Sequence, residues 1–90
     1  MDRELLKCFW NCGDNQIIEF AILRARLNSN EKKVLEYILD ECLTQEETAE
    51  IMEYSTRRVQ DFWCSAVKKL LNIDWVRAYA ISLKTLQERG

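Results

Sequence analysis

Proline is absent from this chain, and its only glycines are Gly13 and Gly90. Without the residues that most readily interrupt a helix, long stretches must hold one regular conformation. Apolar residues recurring every three or four positions predict that this conformation is helical throughout. Asp2 to about Asn11 reads as a first helix with Leu5, Leu6, Phe9 and Trp10 on one face. The segment from Asn11 to Asn15 is the clearest break, with Gly13 stopping one helix and Asp14 capping the next. A second helix is expected from Gln16 to Leu27. Its apolar arc (Ile17, Ile18, Phe20, Ala21, Ile22, Leu23, Ala25) is wider than one buried face requires. A third helix runs from Asn30 to about Cys42 and packs Val34, Leu35, Ile38 and Leu39, and Thr44 with Glu47 forms a capping box that opens a fourth. The fifth covers Thr56 to Leu71. The sixth starts after Asp74 and packs Val76, Tyr79, Ala80, Leu83 and Leu86. Ninety residues, 48% of them hydrophobic, make one small domain with a well-supplied core.

The stretch from Thr44 to Trp63 has the layout of two short amphipathic helices joined by a tight turn. In such a pair the first helix braces and the second enters a DNA groove. A small residue is needed where the helices cross, and Ala49 stands there; Met52, Tyr54, Val59 and Phe62 supply apolar groups pointing inward. Ser55 is placed to cap the second helix. Trp63 falls on the core stripe of that helix, whose opposite face presents Arg57, Gln60, Asp61, Cys64 or Ser65, and Lys68. Trp75, in the first turn of the last helix, is expected to be partly exposed, and Trp10 to pack between the N-terminal helices and the rest. The bland alternative is any helical hairpin in a small bundle.

The flanks of this unit resemble LuxR/GerE-type domains and sigma-factor region 4. In both, a leucine and a cap residue precede an acidic residue and then a Val-Leu pair, as Leu27, Asn28, Glu31, Val34 and Leu35 do here. Asn28 with Glu31 makes a capping box. The small residue and the following apolar position match Ala49 and Met52, and the serine and valine of the next helix match Ser55 and Val59. Lys69-Leu70 and then Asp74 to Ile81 are similar to the fourth helix that LuxR-type domains add and that region 4 usually lacks. The resemblance covers about two thirds of the chain and is moderately specific. It implies an all-α fold in which a trihelical helix-turn-helix core, residues 28–88 with an extra C-terminal helix, follows two N-terminal helices in residues 1–27. Two departures leave the subfamily open: Glu53 stands at the turn position commonly held by glycine, and Leu71 where a glycine usually follows Lys-Leu. Glu53 must either avoid positive φ or bear its cost.

Net charge is −2, unusual for a nucleic-acid binder, so the distribution matters more than the total. Between Ser55 and Leu71 the chain carries Arg57, Arg58, Lys68 and Lys69 against Asp61 alone, whereas the preceding helix carries Glu46, Glu47, Glu50 and Glu53 with no base. Histidine is absent, and there is no glycine-rich phosphate loop and no nucleophile–base pair, which argues against an enzyme. Cys8, Cys12, Cys42 and Cys64 lack the paired, turn-like spacing of zinc sites and read as buried thiols acting as small hydrophobes. No metal and no cofactor is expected. No apolar run approaches the ~18 residues of a membrane span, and no signal-peptide layout is present, so a cytoplasmic protein is expected.

Together these readings point to a small bacterial or phage transcription regulator that binds double-stranded DNA without catalysis. Ser55, Thr56, Arg57, Arg58, Gln60 and Asp61 lie at the base-reading end of the recognition helix, and Lys68 and Lys69 hold the backbone. The rival is a sigma-like module that engages RNA polymerase or another protein with little DNA binding of its own; the acidic brace favours it and the basic fifth helix opposes it. A third possibility, an inhibitor occupying a nucleic-acid channel, rests on acidity alone. The surplus of apolar surface predicts a homodimer through Ile18, Ile22, Trp75 and Ile81.

Overall fold

The computed structural model describes residues 2–11 and 14–89, and the fold there is all-α, with no strand among the described residues. Its elements are α1 (Asp2–Trp10), α2 (Asn15–Ala25), α3 (Ser29–Leu35) continued by a π-helical turn (Glu36–Asp40), α4 (Gln45–Met52), α5 (Thr56–Leu71) and α6 (Asp74–Arg89). The break expected at Gly13, and the position of Cys12, lie outside the described residues.

Local chemistry sets the helix starts. The Asp14 carboxylate accepts from the N–H groups of Gln16 and Ile17 and opens α2. Both capping boxes form. Asn28 Oδ1 accepts from the Glu31 N–H at 2.8 Å while Glu31 Oε1 accepts from the Asn28 N–H at 2.9 Å, and Thr44 and Glu47 exchange the equivalent pair at 3.1 Å. Helix ends are set differently. Among the described residues three non-glycines, Arg26, Cys42 and Glu53, take positive φ of 56°, 55° and 60°. Each turns the chain out of a helical segment, a job that glycine usually does without steric cost.

Two expected boundaries therefore shift. α2 stops at Ala25 rather than Leu27, because the left-handed Arg26 sends its N–H back to the Ile22 and Leu23 carbonyls. The third helix is α-helical only to Leu35. The π-helical turn then closes through Glu41 N–H to Glu36 O (3.2 Å) and Leu43 N–H to Tyr37 O (3.0 Å) around the left-handed Cys42. Ile38 and Leu39 stay buried in that wider turn.

The described residues divide into two compact units, the first made of those up to Arg26 together with those from Val67 onward, the second of 27–66. The division falls within α5, after Ala66. The last helix thus groups with the N-terminal helices rather than with the segment it follows in the resemblance.

In the first unit α1 packs on α6. Leu6 and Phe9 of α1 and Val76 and Ala80 of α6 are fully buried. Phe9 meets the edges of Trp75 and Tyr79 at ring-centroid distances of 6.3 and 6.0 Å, and Trp75 in turn tilts against Phe20 at 5.8 Å. At the surface Lys84 Nζ lies 3.2 Å from the Glu4 carboxylate and holds that carboxyl below its ordinary value. Leu86, expected to pack, is exposed near the end of α6.

In the second unit the π-helical turn contacts both α3 and α4. Val34, Leu35, Val59 and Ala66 are fully buried, and Ala49 and Trp63 nearly so. Two buried polar side chains belong to it. Glu31 serves the capping box, and the Thr48 hydroxyl donates to the Thr44 carbonyl at 2.8 Å. No described helix is long and apolar enough to cross a membrane.

Candidate nucleic-acid interface

The segment from α4 to α5 starts from Ala49 and Glu50, whose carbonyls accept the N–H groups of Tyr54 (3.0 Å) and Glu53 (3.4 Å) respectively. These bonds close α4 around a left-handed Glu53 (φ 60°, ψ 37°), so the residue that replaces the expected glycine does adopt glycine's conformation. Such a backbone costs an L-residue about 1–2 kcal/mol. Ser55 Oγ then accepts the Arg58 N–H at 3.1 Å, and the Ser55 carbonyl accepts the Val59 N–H at 3.1 Å, which starts α5 after a turn of Glu53, Tyr54 and Ser55.

Helical periodicity sorts the first half of α5. Val59, Trp63 and Ala66 are buried, and Thr56, Arg57, Arg58, Gln60, Asp61 and Cys64 are exposed. Trp63 therefore sits on the core stripe, as expected. Ser55 is exposed, with its hydroxyl oxygen engaged in the cap. Arg57, Gln60 and Asp61 make no side-chain hydrogen bond or ion pair among the described residues. Arg58 is engaged differently: its guanidinium carbon lies 5.3 Å from the Phe62 ring centroid. Lys68 is exposed; Lys69 is half-buried and already has a partner within the chain, and both belong to the part of α5 that lies in the first unit.

Tyr54 was expected to point inward, yet it is exposed. It stands in the turn after the left-handed Glu53, where its ring packs edge-on against Phe62 at 5.4 Å, and its hydroxyl accepts from Asn30 Nδ2 at 3.4 Å. Phe62 is accordingly half-buried rather than enclosed, and Met52 is half-buried too. The resulting surface cluster of Asn30, Tyr54, Phe62 and Arg58 joins residues 24 positions apart, and no local sequence signal marks it.

The cysteines also differ from expectation. Cys8 is half-buried, whereas Cys42 and Cys64 are exposed. Cys42 holds the left-handed position that ends the π-helical turn, and Cys64 lies on the solvent side of α5, so neither is enclosed as a small hydrophobe.

Opposite charge faces out from α4. Glu46, Glu47, Glu50 and Glu53 are all exposed, and so is Ile51. Glu47 is committed to the Thr44 cap, and Glu46 lies in the first turn, where the helix dipole favours an acid. Glu50 and Glu53, at the end next to the turn, have no such role.

The expected dimer residues separate in the same way. Ile18 and Ile22 are 8% and 9% exposed and so belong to the interior of the chain, while Trp75 and Ile81 are exposed. On α2 Phe20 and Leu23 are exposed, and Ile17 and Ala25 are half-buried.

Compared with known proteins, the chain matches no family model, no curated protein and no solved structure.

Proposed function

We propose that this chain is a bacterial or phage transcription regulator, acting in the cytoplasm, that binds double-stranded DNA with α4 and α5 working as a helix-turn-helix. The observation that carries this reading is the first half of α5. Its solvent side is wholly polar, and its Arg57 and Gln60 side chains are unengaged. Gln60 offers the paired donor and acceptor that match adenine, and Arg57 the fork that matches guanine or a phosphate. The two lie one turn apart at the end of a recognition helix that meets base edges. Arg58, stacked on Phe62, and Lys68 suit the phosphate backbone. The tight turn and the nearly buried Ala49 are what two crossing helices need. The resemblance to LuxR/GerE-type and region-4 domains adds its weight through the same residues.

The test is fluorescence anisotropy with a randomised duplex pool, followed by the selected site, at two salt concentrations. Arg57→Ala should lose about 1–3 kcal/mol at the selected site and relax one base pair, whereas Lys68→Ala should weaken all sequences alike and lower the salt slope by about one. Failure to bind any duplex at low salt would sink the reading.

A second reading is favoured by α4, which exposes the acids Glu46, Glu47 and Glu50 together with the apolar Ile51. An acidic helix with an exposed apolar residue suits a basic protein surface, such as one on RNA polymerase, better than it suits phosphate. Glu50→Gln with Glu53→Gln distinguishes the two. The double variant tightens DNA binding if α4 flanks DNA, and weakens capture of a protein partner if α4 is the docking element.

A further inference from the structure

The half-buried Phe62 ring holds two exposed side chains at once. Tyr54 meets it edge-on at 5.4 Å between ring centroids, and the Arg58 guanidinium carbon lies 5.3 Å from its centroid. From α3, Asn30 Nδ2 donates to the Tyr54 hydroxyl oxygen at 3.4 Å. That bond uses the hydroxyl as an acceptor, so its own O–H points elsewhere and has no acceptor among the described residues. The Arg58 guanidinium likewise makes no hydrogen bond or ion pair there, because a ring face engages it without using its N–H groups. Donor groups from α3, from the turn and from α5 thus stand together at one surface of the second unit. Side chains fixed in advance in this way lose little further freedom on binding.

We propose that this cluster grips one backbone phosphate of the duplex whose bases α5 reads. The Tyr54 O–H and the Arg58 guanidinium donate to the phosphodiester oxygens, and Asn30 is a positioning residue that aims the hydroxyl. The site rests on the helix-turn-helix reading and carries the grip beyond α5 to the turn and α3. Direction supports it. Successive residues turn about 100° around a helix, so Arg58 projects to the flank of the side that presents Arg57. A helix in the major groove meets base edges with its front and the sugar-phosphate wall with its flanks. The donor set suits that wall, since a charged fork and a phenol both form charge-assisted bonds to an anionic oxygen. On α3, Lys33 follows Asn30 by one turn on the same side, is exposed and has no ion-pair partner among the described residues. It extends positive charge along the same strand. Glu31, the acid beside Asn30, is buried in its capping box, while Glu53, exposed beside Tyr54 in sequence, is the acid that works against the site.

The experiment is duplex binding by the full chain, read by fluorescence anisotropy at several salt concentrations, with circular dichroism to check that each variant keeps its helical content. Tyr54→Phe keeps the ring on Phe62 and removes only the O–H. It should weaken binding to every duplex about tenfold, with base preference and salt slope unchanged because no charge is lost. Asn30→Ala should weaken the wild-type chain about threefold and leave the Tyr54→Phe chain as it is, since it acts through the hydroxyl. Lys33→Ala should lower the salt slope by about one. On the DNA side, uncharged methylphosphonate is placed at one backbone position after another. One position should weaken the wild type but not the double variant Tyr54→Phe with Arg58→Ala. If the wild type binds duplexes and Tyr54→Phe matches it, if the Asn30 and Tyr54 losses add, or if no backbone position shows that dependence, the phosphate site is overturned and the helix-turn-helix reading stands. A wild type that binds no duplex at low salt overturns both.

Discussion

Both units use side-chain caps and left-handed closures, which Asp14 and Arg26 supply to α2 of the first, but the two differ in what packs them. The first brings residues from the two ends of the sequence together, α1 on α6, and orders its contact with large aromatic rings: Phe9 against Trp75 and Tyr79, and Trp75 against Phe20. The second is a chain of short segments, each opened by a side-chain cap and two of them closed by a left-handed residue: the Asn28–Glu31 and Thr44–Glu47 boxes, the Ser55 cap, then Cys42 and Glu53. Its fully buried hydrophobic residues are aliphatic, Val34, Leu35, Val59 and Ala66. The contrast teaches that a region can gain definition from distant packing or from hydrogen bonds spanning three residues. Only the second kind is written in adjacent letters.

If the contrast is sound, the largest effects of truncation fall in the first unit. Phe9→Ala removes a fully buried ring from the aromatic series and should cost about 3–5 kcal/mol, read by urea denaturation. Phe62→Ala, on a half-buried ring that shares its surface cluster with Tyr54 and Arg58, should cost about half as much. Equal losses at the two positions would mean that the second unit leans on aromatic packing as heavily as the first.

A smaller effect probes the caps. Thr44→Ala removes the oxygen that accepts the Glu47 N–H and should cost about 1 kcal/mol. Amide exchange should localise that loss to the start of α4 while protection in α1 and α6 stays unchanged. Equal deprotection of both units would refute local control.

The smallest effect is a gain. Glu53→Gly relieves a side chain held at φ 60° and should stabilise by up to about 1 kcal/mol after the entropy of the unfolded glycine is counted, raising Tm by roughly 4–8 °C. A drop in Tm would show that the Glu53 side chain contributes more than its backbone strain costs.

Much of the candidate interface was legible for the reason the comparison gives. Ser55 as cap, Val59 and Trp63 inward, and Arg57, Gln60 and Asp61 outward all follow from periodicity within one helix that starts at Thr56. Tyr54 was not legible, because its place depends on Asn30, 24 positions earlier, and on the turn that Glu53 makes. Cys42 and Cys64 were misplaced for a related reason. Hydrophobicity says what a thiol tolerates, and a left-handed turn or the solvent side of a helix decides where it goes.

By itself the sequence determined that the chain is helical, where the helices start, and which capping pairs open them, since the groups involved lie within one turn of each other. Only the tertiary structure decided which part of the wide apolar arc of α2 is covered. The arc is a property of one helix, but Ile18, Ala21 and Ile22 are buried while Phe20 and Leu23 remain in solvent because of what the rest of the chain places against them. It also decided that α6 belongs with α1 and that α5 is shared between two units. Such pairings form between segments far apart in sequence. Their free energy comes from surface removed from water on both partners at once, which neither segment encodes alone.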